Sequence, residues 1–372
     1  MKILVLKETA AHEGRVSLTP ETIKKLTDQG HEILVEKDAG KSSGILDEQY
    51  TAMGAKISKD VSKDIPKVEL VTLVTFDSLD QLKGIKEGTT LIGLMKPYQN
   101  TKILKDLAKK KVTSLALELI PRISRAQTMD VLSSQSNLAG YKAVIDAAAE
   151  FGRAMPMMMT AAGTIPPARV LILGAGVAGL QAIATAKRLG AVVSAFDVRP
   201  AVKEQVESLG ANFVEVEAEE SGDGSGGYAK EMSEDYKRRQ SEKLAEVIKT
   251  QDIIVTTALI PGKPAPILIT EDMVKSMKNG ALIYDLAVEN GGNCELSEFG
   301  KVITKHGVKI IGHANVPSRI GFDASQVFGR NIFNLLKVII DVEGKLAINF
   351  DDEIIKGCCL THDGTIIHPN FL

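Results

Sequence analysis

Tryptophan is missing from this chain of 372 residues, aromatic residues make up only 4% of it, and cysteine occurs three times. A core built without aromatic bulk must be aliphatic. The cysteines stand at 294, 358 and 359, an odd number with an adjacent pair and no CxxC spacing, which excludes a disulfide framework and fits a reducing cytosolic setting. Charge of one sign is not in excess either: 45 Lys+Arg against 47 Asp+Glu leave a formal net charge of −2. That balance removes the electrostatic case for nucleic acid or an acidic membrane surface as principal partner. The longest uncharged run, Val170 to Ala186, spans 17 residues but contains Gly174, Gly176 and Gly179, so it reads as strand, turn and helix start rather than as a membrane span. The apolar stretch at the N-terminus is interrupted by Lys2 and Lys7 and is too short for a signal peptide. None of the six histidines pairs at i, i+4 or clusters with acids or cysteines at metal spacing, and neither GxSxG nor a P-loop occurs.

What is present is alternation. Short apolar runs at Lys2–Leu6, Glu32–Glu36, Val68–Thr75, Thr90–Met95 and Val112–Leu119 are expected strands. Helical patterns fall between them at Pro20–Gly30, Asp47–Met53, Leu79–Lys83 and Thr101–Lys110. Strands separated by helices argue for a parallel sheet covered on both faces. Ser134–Gly152 carries apolar residues every third or fourth position and is expected to be a bridging helix, followed by an irregular crossing through Ala154–Met159 and Pro166-Pro167. Six further strands follow: Val170–Leu173, Val192–Val198, Phe213–Val216, Ile253–Leu259, Ala281–Leu286 and Val308–Ile311, with helices such as Ala178–Leu189 and Ala201–Leu209 between them. A second long helix, Ala324–Val342, is apolar at Val327, Phe328, Ile332, Leu335, Leu336 and Ile339, and is expected to return the chain to the first domain. The fold class expected is α/β, with two Rossmann-like doubly wound parallel-sheet domains joined by long helices. Residues 1–133 with 324–372 would form the discontinuous first domain and 134–323 the second.

The motif with most chemistry is Gly174-Ala175-Gly176-Val177-Ala178-Gly179, directly after a strand and opening a helix. Its first glycine permits the tight turn, the second lets a pyrophosphate approach the backbone, the third lets helix and strand pack, and the helix N-terminus supplies free N–H groups. Asp197 closes the next strand 23 residues after Gly174. A carboxylate there accepts from the adenosine ribose hydroxyls and repels a 2′-phosphate, favouring NAD(H) over NADP(H), although the nearby Arg199 is a residue type that can hold that phosphate. Two other segments are open to more than one reading. Glu217–Gly227, EAEESGDGSGG, is too long for an ordinary connection. It is either a lid, with a mobile stretch near 217–240, or a flexible surface insertion. Pro121–Asn137 concentrates Arg122, Arg125, Gln127, Asp130, Ser133 and Ser134. It is either a solvated loop or a ligand-facing one at the domain junction.

The stretches RAQTMDVLSSQSNLAGYKAV, PMMMTAAGTIPPARVLILGAGVAGLQAIATAKRLGA, TTALIPGKPAP and GHANVPSR resemble the NAD(H)-binding component of proton-translocating nicotinamide nucleotide transhydrogenases. The likeness runs over essentially the whole chain and is densest from Ile120 to Arg319. The opening KETAAHEGRVSLTP is similar in the related alanine dehydrogenases and so does not discriminate.

The resemblance implies a Re/Si-specific transhydrogenase component that holds NAD(H), with NADP(H) carried by a partner subunit and hydride passing directly between the two nicotinamides. Proton translocation would belong to a membrane subunit. The resemblance further implies a homodimer, peripheral at the cytoplasmic face of the inner or plasma membrane through its partners. Because the chain ends at Leu372, the NADP-binding and membrane parts are expected on separate polypeptides, as in multi-subunit bacterial versions. By motif match, Arg122, Gln127, Asp130, Ser133 and the loop tyrosine Tyr228 are implied as catalytic, the loop residues around the nicotinamide. Ile123, Ser124, Arg125, Thr128 and Met129 complete that cofactor-binding loop. Gly174, Gly176, Val177, Gly179, Asp197, Val198 and Arg199 match the adenosine and pyrophosphate side, with Gly227, Gln240, Ala258 and Leu259 lining the remainder. No metal is implied. With two cofactors as reactants no substrate hydroxyl or amine needs deprotonating, so a site without a histidine acid or base is expected.

The rival enzyme is alanine dehydrogenase, whose chemistry needs a lysine for the substrate and a histidine acid/base in the first domain. The corresponding strands here read VTLVTF and LIGLMKPY, without either. A non-catalytic NADH sensor is the third reading.

Overall fold

The computed structural model describes residues 1–216, 220–224, 230, 232–260 and 263–372. The chain divides into two compact units, Met1–Gln135 with Ser318–Leu372, and Ser136–Pro317. In chain order the strands are β1 (Lys2–Val5), β2 (Glu32–Glu36), β3 (Lys56–Ser58), β4 (Leu70–Thr75), β5 (Thr90–Leu94), β6 (Thr113–Ala116), β7 (Met158–Thr160), β8 (Gly163–Ile165), β9 (Arg169–Leu173), β10 (Val192–Phe196), β11 (Asn212–Phe213), β12 (Ile253–Thr256), β13 (Leu282–Asp285), β14 (Lys301–Lys305), β15 (Val308–Gly312), β16 (Cys359–His362) and β17 (Thr365–Ile366).

The first unit's sheet runs β3-β2-β1-β4-β5-β6-β16-β17. Its first six strands are parallel, and the C-terminal β16 adds antiparallel to β6. β4 is buried at all six positions, as the unbroken run LVTLVT requires in a sheet covered on both faces. On one face Ile3, Val5 and Leu70 pack with Ile23 and Leu26 of helix Pro20–Asp28 and with Phe328, Ile332 and Leu335 of helix Gly321–Ile339. On the other, Leu4, Val71 and Leu91 meet Ile103, Leu104 and Leu107 of helix Thr101–Lys109.

The second unit repeats the plan with the order β11-β10-β9-β12-β13-β15-β14. Strands β11 to β15 are parallel and the edge strand β14 is antiparallel. Val170 and Ile172 face Ala182, Ile183 and Ala186 of helix Val177–Arg188. Leu171 and Leu173 face Leu244 and Ile248 of helix Glu234–Ile248. Both units thus carry the 3-2-1-4-5-6 order whose strand direction reverses beside the first strand, the doubly wound dinucleotide-binding topology.

The local differences from the sequence reading have physical causes. The strand expected over Val112–Leu119 stops at Ala116 and tightens into the 3₁₀ turn Leu117–Leu119. That expected over Phe213–Val216 pairs only at Asn212–Phe213. The edge strands β3 and β14 are short or largely exposed and were not expected, because KIS and KVITK bury too little to show a pattern. The crossing over Ala154–Met159 is not irregular throughout: β7 and β8 form a two-stranded antiparallel hairpin, exposed at every position. The bridging helix begins at Val131 and runs to Glu150.

Candidate functional site

The glycine turn after β9 separates the three roles that its spacing implies. Gly174 has φ +98°, which a side chain would strain, and a Cβ there would lie 2.6 Å from Thr257 Oγ1. Gly179 permits the helix to lie on the turn, since a Cβ on it would meet the Gly174 carbonyl oxygen at 1.8 Å. Gly140, in the bridging helix, packs the same way against the Ala178 carbonyl oxygen at 2.0 Å. Gly176 is different: a Cβ on it would have only Arg199 Nη2, 4.0 Å away. Open space over the N-terminus of a twelve-residue helix, at the point where strand order reverses, is a cradle that suits a pyrophosphate.

Asp197 stands immediately past the end of β10, buried. Its Oδ2 accepts from the Ala175 N–H (2.7 Å) and from Arg199 Nη2 (2.7 Å), and its Oδ1 from the Arg199 N–H (2.9 Å) and Nε (2.8 Å). The Arg199 guanidinium is therefore folded back onto the carboxylate, whose hydrogen bonds hold it above its ordinary pKa. The carboxylate is tied to the glycine turn through Ala175. Tyr236, buried on helix Glu234–Ile248, has its hydroxyl pKa raised by burial and by the nearby charge of Asp197. Gln240, one turn further on, is buried as well.

The opposite wall is built by side chains that sequence patterns did not single out. Thr257 donates from Oγ1 to the Gly174 carbonyl (3.0 Å). Asn293, with no exposed surface, accepts from the Ala258 N–H (3.0 Å) and donates to the carbonyls of Ala258 (2.9 Å) and Pro266 (2.8 Å). Its amide acts as a strand partner for a segment that has left the sheet. Asn293 is itself held by Asp285, a fully buried carboxylate at the end of β13. That carboxylate receives Thr256 Oγ1, the N–H groups of Ala287, Asn293 and Cys294, and Ser297 Oγ. Leu259, next in the chain to Ala258, is exposed. In the long connection after β11, Gly222 donates to the Val198 carbonyl (2.9 Å) and accepts from the Lys230 N–H (3.0 Å). A Cβ at 222 would meet the Val198 oxygen at 2.5 Å. Gly227 and Tyr228, and with them most of the expected lid, lie outside the described residues.

The polar segment Arg122–Ser133 belongs to the first unit. Ser124–Met129 is a 3₁₀ turn fastened from below by Ala126 and Met129, which are buried in the core. Met129 therefore has no side chain to offer a ligand. Arg122, Ser124, Arg125, Gln127 and Thr128 are exposed, and Ile123 packs against the core. Asp130 precedes the bridging helix and accepts from the Ser133 N–H (2.9 Å) and Oγ (2.6 Å), with Arg122 Nε 3.9 Å from its Oδ2. Arg125 is committed to Asp352 through two bonds of 2.7 and 2.6 Å. In the same unit Thr75 closes β4, while Met95-Lys96-Pro97 follow β5, so neither place offers the Lys and His that alanine oxidation needs. The three cysteines are buried free thiols, with Cys294 pushed up to about 11 and Cys359 to about 12 by burial. Among the described residues no group of His, Cys, Asp and Glu could hold a metal, and no helix is long and apolar enough to cross a membrane.

Two family models cover nearly the whole chain: alanine dehydrogenase/PNT N-terminal domain over residues 4–139 and alanine dehydrogenase/PNT C-terminal domain over residues 143–369. An NAD(P) transhydrogenase alpha subunit of Rhodospirillum rubrum is 54% identical over 378 residues, covering 99% of this chain and 98% of that protein. A solved transhydrogenase from Sinorhizobium meliloti superposes with a TM-score of 0.87 at 45% identity over all of both chains. An alanine dehydrogenase of Staphylococcus haemolyticus is 31% identical over 86% of this chain and 82% of its own. By these matches and by the glycine turn, Asp197 and the doubly wound sheets, the chain belongs to the alanine dehydrogenase/PNT family and stands with its transhydrogenase alpha subunits.

Proposed function

We propose that this chain is the NAD(H)-holding catalytic component of a proton-translocating transhydrogenase. In this reading hydride passes directly between NAD(H) on this chain and NADP(H) on a partner subunit, and a membrane subunit couples the transfer to proton movement. The observation that supports it most is the cradle at Gly176 with Asp197 buried beside it. The turn N–H groups and the helix N-terminus suit the pyrophosphate, and the carboxylate suits ribose hydroxyls over a 2′-phosphate. When bound, the nicotinamide supplies the hydride. This chain's own residues bind, orient and exclude water, without moving a proton. Val177, Val198, Gln240, Ala258 and Leu259 would line the adenosine and ribose side. The Gln127 amide, with Arg122 and the Asp130–Ser133 pair, would orient the nicotinamide and its carboxamide, Ile123, Ser124, Arg125, Thr128 and Met129 shaping the loop that carries them. Gly227 and Tyr228 would close over the bound cofactor. A homodimer bound to the membrane only through its partners completes the reading.

The test is reconstitution. Mixed with the NADP-binding domain of a family member, the chain should catalyse hydride exchange between NADH and an NADP⁺ analogue. Gln127→Asn should lower that rate by at least about tenfold, as expected when a positioning contact is shortened by one methylene. A fully active variant would remove Gln127 from the site. Exchange undetectable in the mixture, with NADH still bound, would turn the reading to a sensor, and turnover of pyruvate, ammonia and NADH would turn it to alanine dehydrogenase.

A further inference from the structure

We propose that Asn331 is a positioning residue for the Gln127 segment, an inference that rests on the reading of that segment as the nicotinamide-side loop. Asn331 lies on helix Gly321–Ile339 with only 7% of its surface exposed, flanked by the core residues Ile332 and Phe328. A buried amide needs partners, and the identity of its partners is informative. Its Nδ2 donates to the Thr128 carbonyl (2.8 Å), the first carbonyl after Gln127. Its Oδ1 accepts from Ser134 Oγ (2.7 Å), in the first turn of the bridging helix. One side chain thus spans the Asp130 corner, tying the residue before it and the residue after it to a single helix.

The neighbouring contacts act in the same direction. Asn334, one turn on, donates to the same Thr128 carbonyl (3.2 Å). Gln135 is buried, accepts from Arg15 Nη1 (2.7 Å) and donates to the Ala324 carbonyl (3.1 Å), while Glu13 holds Arg15 through Nε and Nη2. The helix start is therefore clamped from both flanks. The turn itself needs that clamp. A 3₁₀ turn has poorer internal hydrogen bonds than an α-helix, and Gln127 and Thr128 are exposed, so no packing fixes them from outside. The hydrogen bond at the Thr128 carbonyl sets the direction in which Gln127 leaves the chain, and an error of about 1 Å there costs up to about a hundredfold in rate.

The test uses the full chain mixed with a family NADP-binding domain. Asn331→Leu removes both bonds, yet Asn334 still serves Thr128 and the Val131 carbonyl still serves Ser134 (3.1 Å). The expected result is a roughly tenfold lower kcat, an NADH Kd by calorimetry within about twofold, and a larger deuterium isotope effect with 4-deuterated NADH. In a Gln127→Asn background the same substitution should change kcat by less than about twofold, because both changes disturb one group. Unchanged kcat, or losses that simply multiply in the double variant, would overturn the proposal while leaving the reading of the loop intact. A fully active Gln127→Asn would instead overturn that reading. Should Asn331→Leu fail to fold, the partly exposed Asn334→Leu carries the same measurements at the same carbonyl.

Discussion

Asp197→Asn is the sharpest perturbation that the nucleotide site allows, because it changes one charge and almost no volume. A carboxylate offers about four acceptor positions. Here all four are taken, by the Ala175 N–H and by three donors of Arg199. A ribose hydroxyl can therefore be accepted only if Arg199 gives up at least one contact, so the net gain from NADH lies at the low end of a charge-assisted hydrogen bond, about 1.5 kcal/mol of the usual 1.5–3. Removing the charge should weaken NADH about tenfold, since 1.4 kcal/mol is one decade. The same change releases Arg199, whose guanidinium then faces the position of a 2′-phosphate without a competing carboxylate, and NADPH should gain about tenfold by the same arithmetic. The ratio of the two dissociation constants should then move by about two decades toward NADPH, read by titration calorimetry at one fixed ionic strength. The Asn oxygen still accepts from Ala175, so the turn is retained. Asp197→Asn with Arg199→Ala should lose the NADPH gain but keep the NADH loss. A ratio unmoved in Asp197→Asn would refute the assignment of Asp197 as the discriminator, and an NADPH gain that survives Arg199→Ala would refute the role given to that side chain.

Two glycines of the turn should behave oppositely. Gly179→Ala forces a methyl onto the Gly174 carbonyl oxygen and should cost at least about 2 kcal/mol of stability, visible as a Tm several degrees lower, whereas Gly176→Ala meets open space and should leave Tm nearly unchanged while weakening NADH at least tenfold. Equal Tm losses in the two would contradict the division of roles. In the first unit Glu8, pushed up to about 8 chiefly by burial, accepts from the N–H groups of Val74 (2.6 Å) and Thr75 (3.1 Å), and burial raises Glu118 as well. A carboxyl whose folded pKa exceeds its unfolded value keeps its proton only in the folded state across the interval, so stability is greatest below about pH 4.5 for this contribution and falls as pH rises toward 8. Denaturant unfolding of the wild type should show that slope, and Glu8→Gln should flatten it; an identical slope in the variant would sink the attribution.

The strands that position the site were legible because a sheet covered on both faces needs runs such as LVTLVT and VLIL, and few other elements use them. The glycine turn was legible for a stronger reason: each glycine answers a separate steric demand, and the distances around 174, 176 and 179 fall into the three roles that the spacing implies. Asp285, Asn293, Thr257 and Asn331 were not. Each is a polar residue in a segment that a periodicity reading treats as ordinary, and each acquires its meaning only from a partner brought close by the fold, Asn331 from a carbonyl 203 residues away. The available signals were faint: an Asp ending an otherwise apolar strand, LIYD, and the paired glycines before Asn293. Arg125 shows the converse. It stood in the expected ligand loop by motif, and the structure pairs it with Asp352, a residue that caps a short helix at the far end of the sequence.

The two units make the distinction between fold and function concrete, since both sheets carry the same strand order. In the second, the loop after the first strand is glycine-rich, and Gly176 leaves open space in front of a helix N-terminus. In the first, the equivalent loop begins KETAAHEGR and contains no such turn. Instead its own Glu8 carboxylate occupies the N–H groups at the end of β4, and Arg15 is closed off by Glu13 and Gln135. An anion-accepting crevice in one unit is filled by a built-in anion in the other, and the interior of the sheets does not distinguish them. The chemistry was therefore decided by a few loop residues on a repeated scaffold. It follows that the first unit serves the site as a rigid holder of the Arg122–Ser133 segment rather than as a second nucleotide site. Calorimetry should accordingly find one NADH per chain, and a second equivalent of comparable affinity would break the argument.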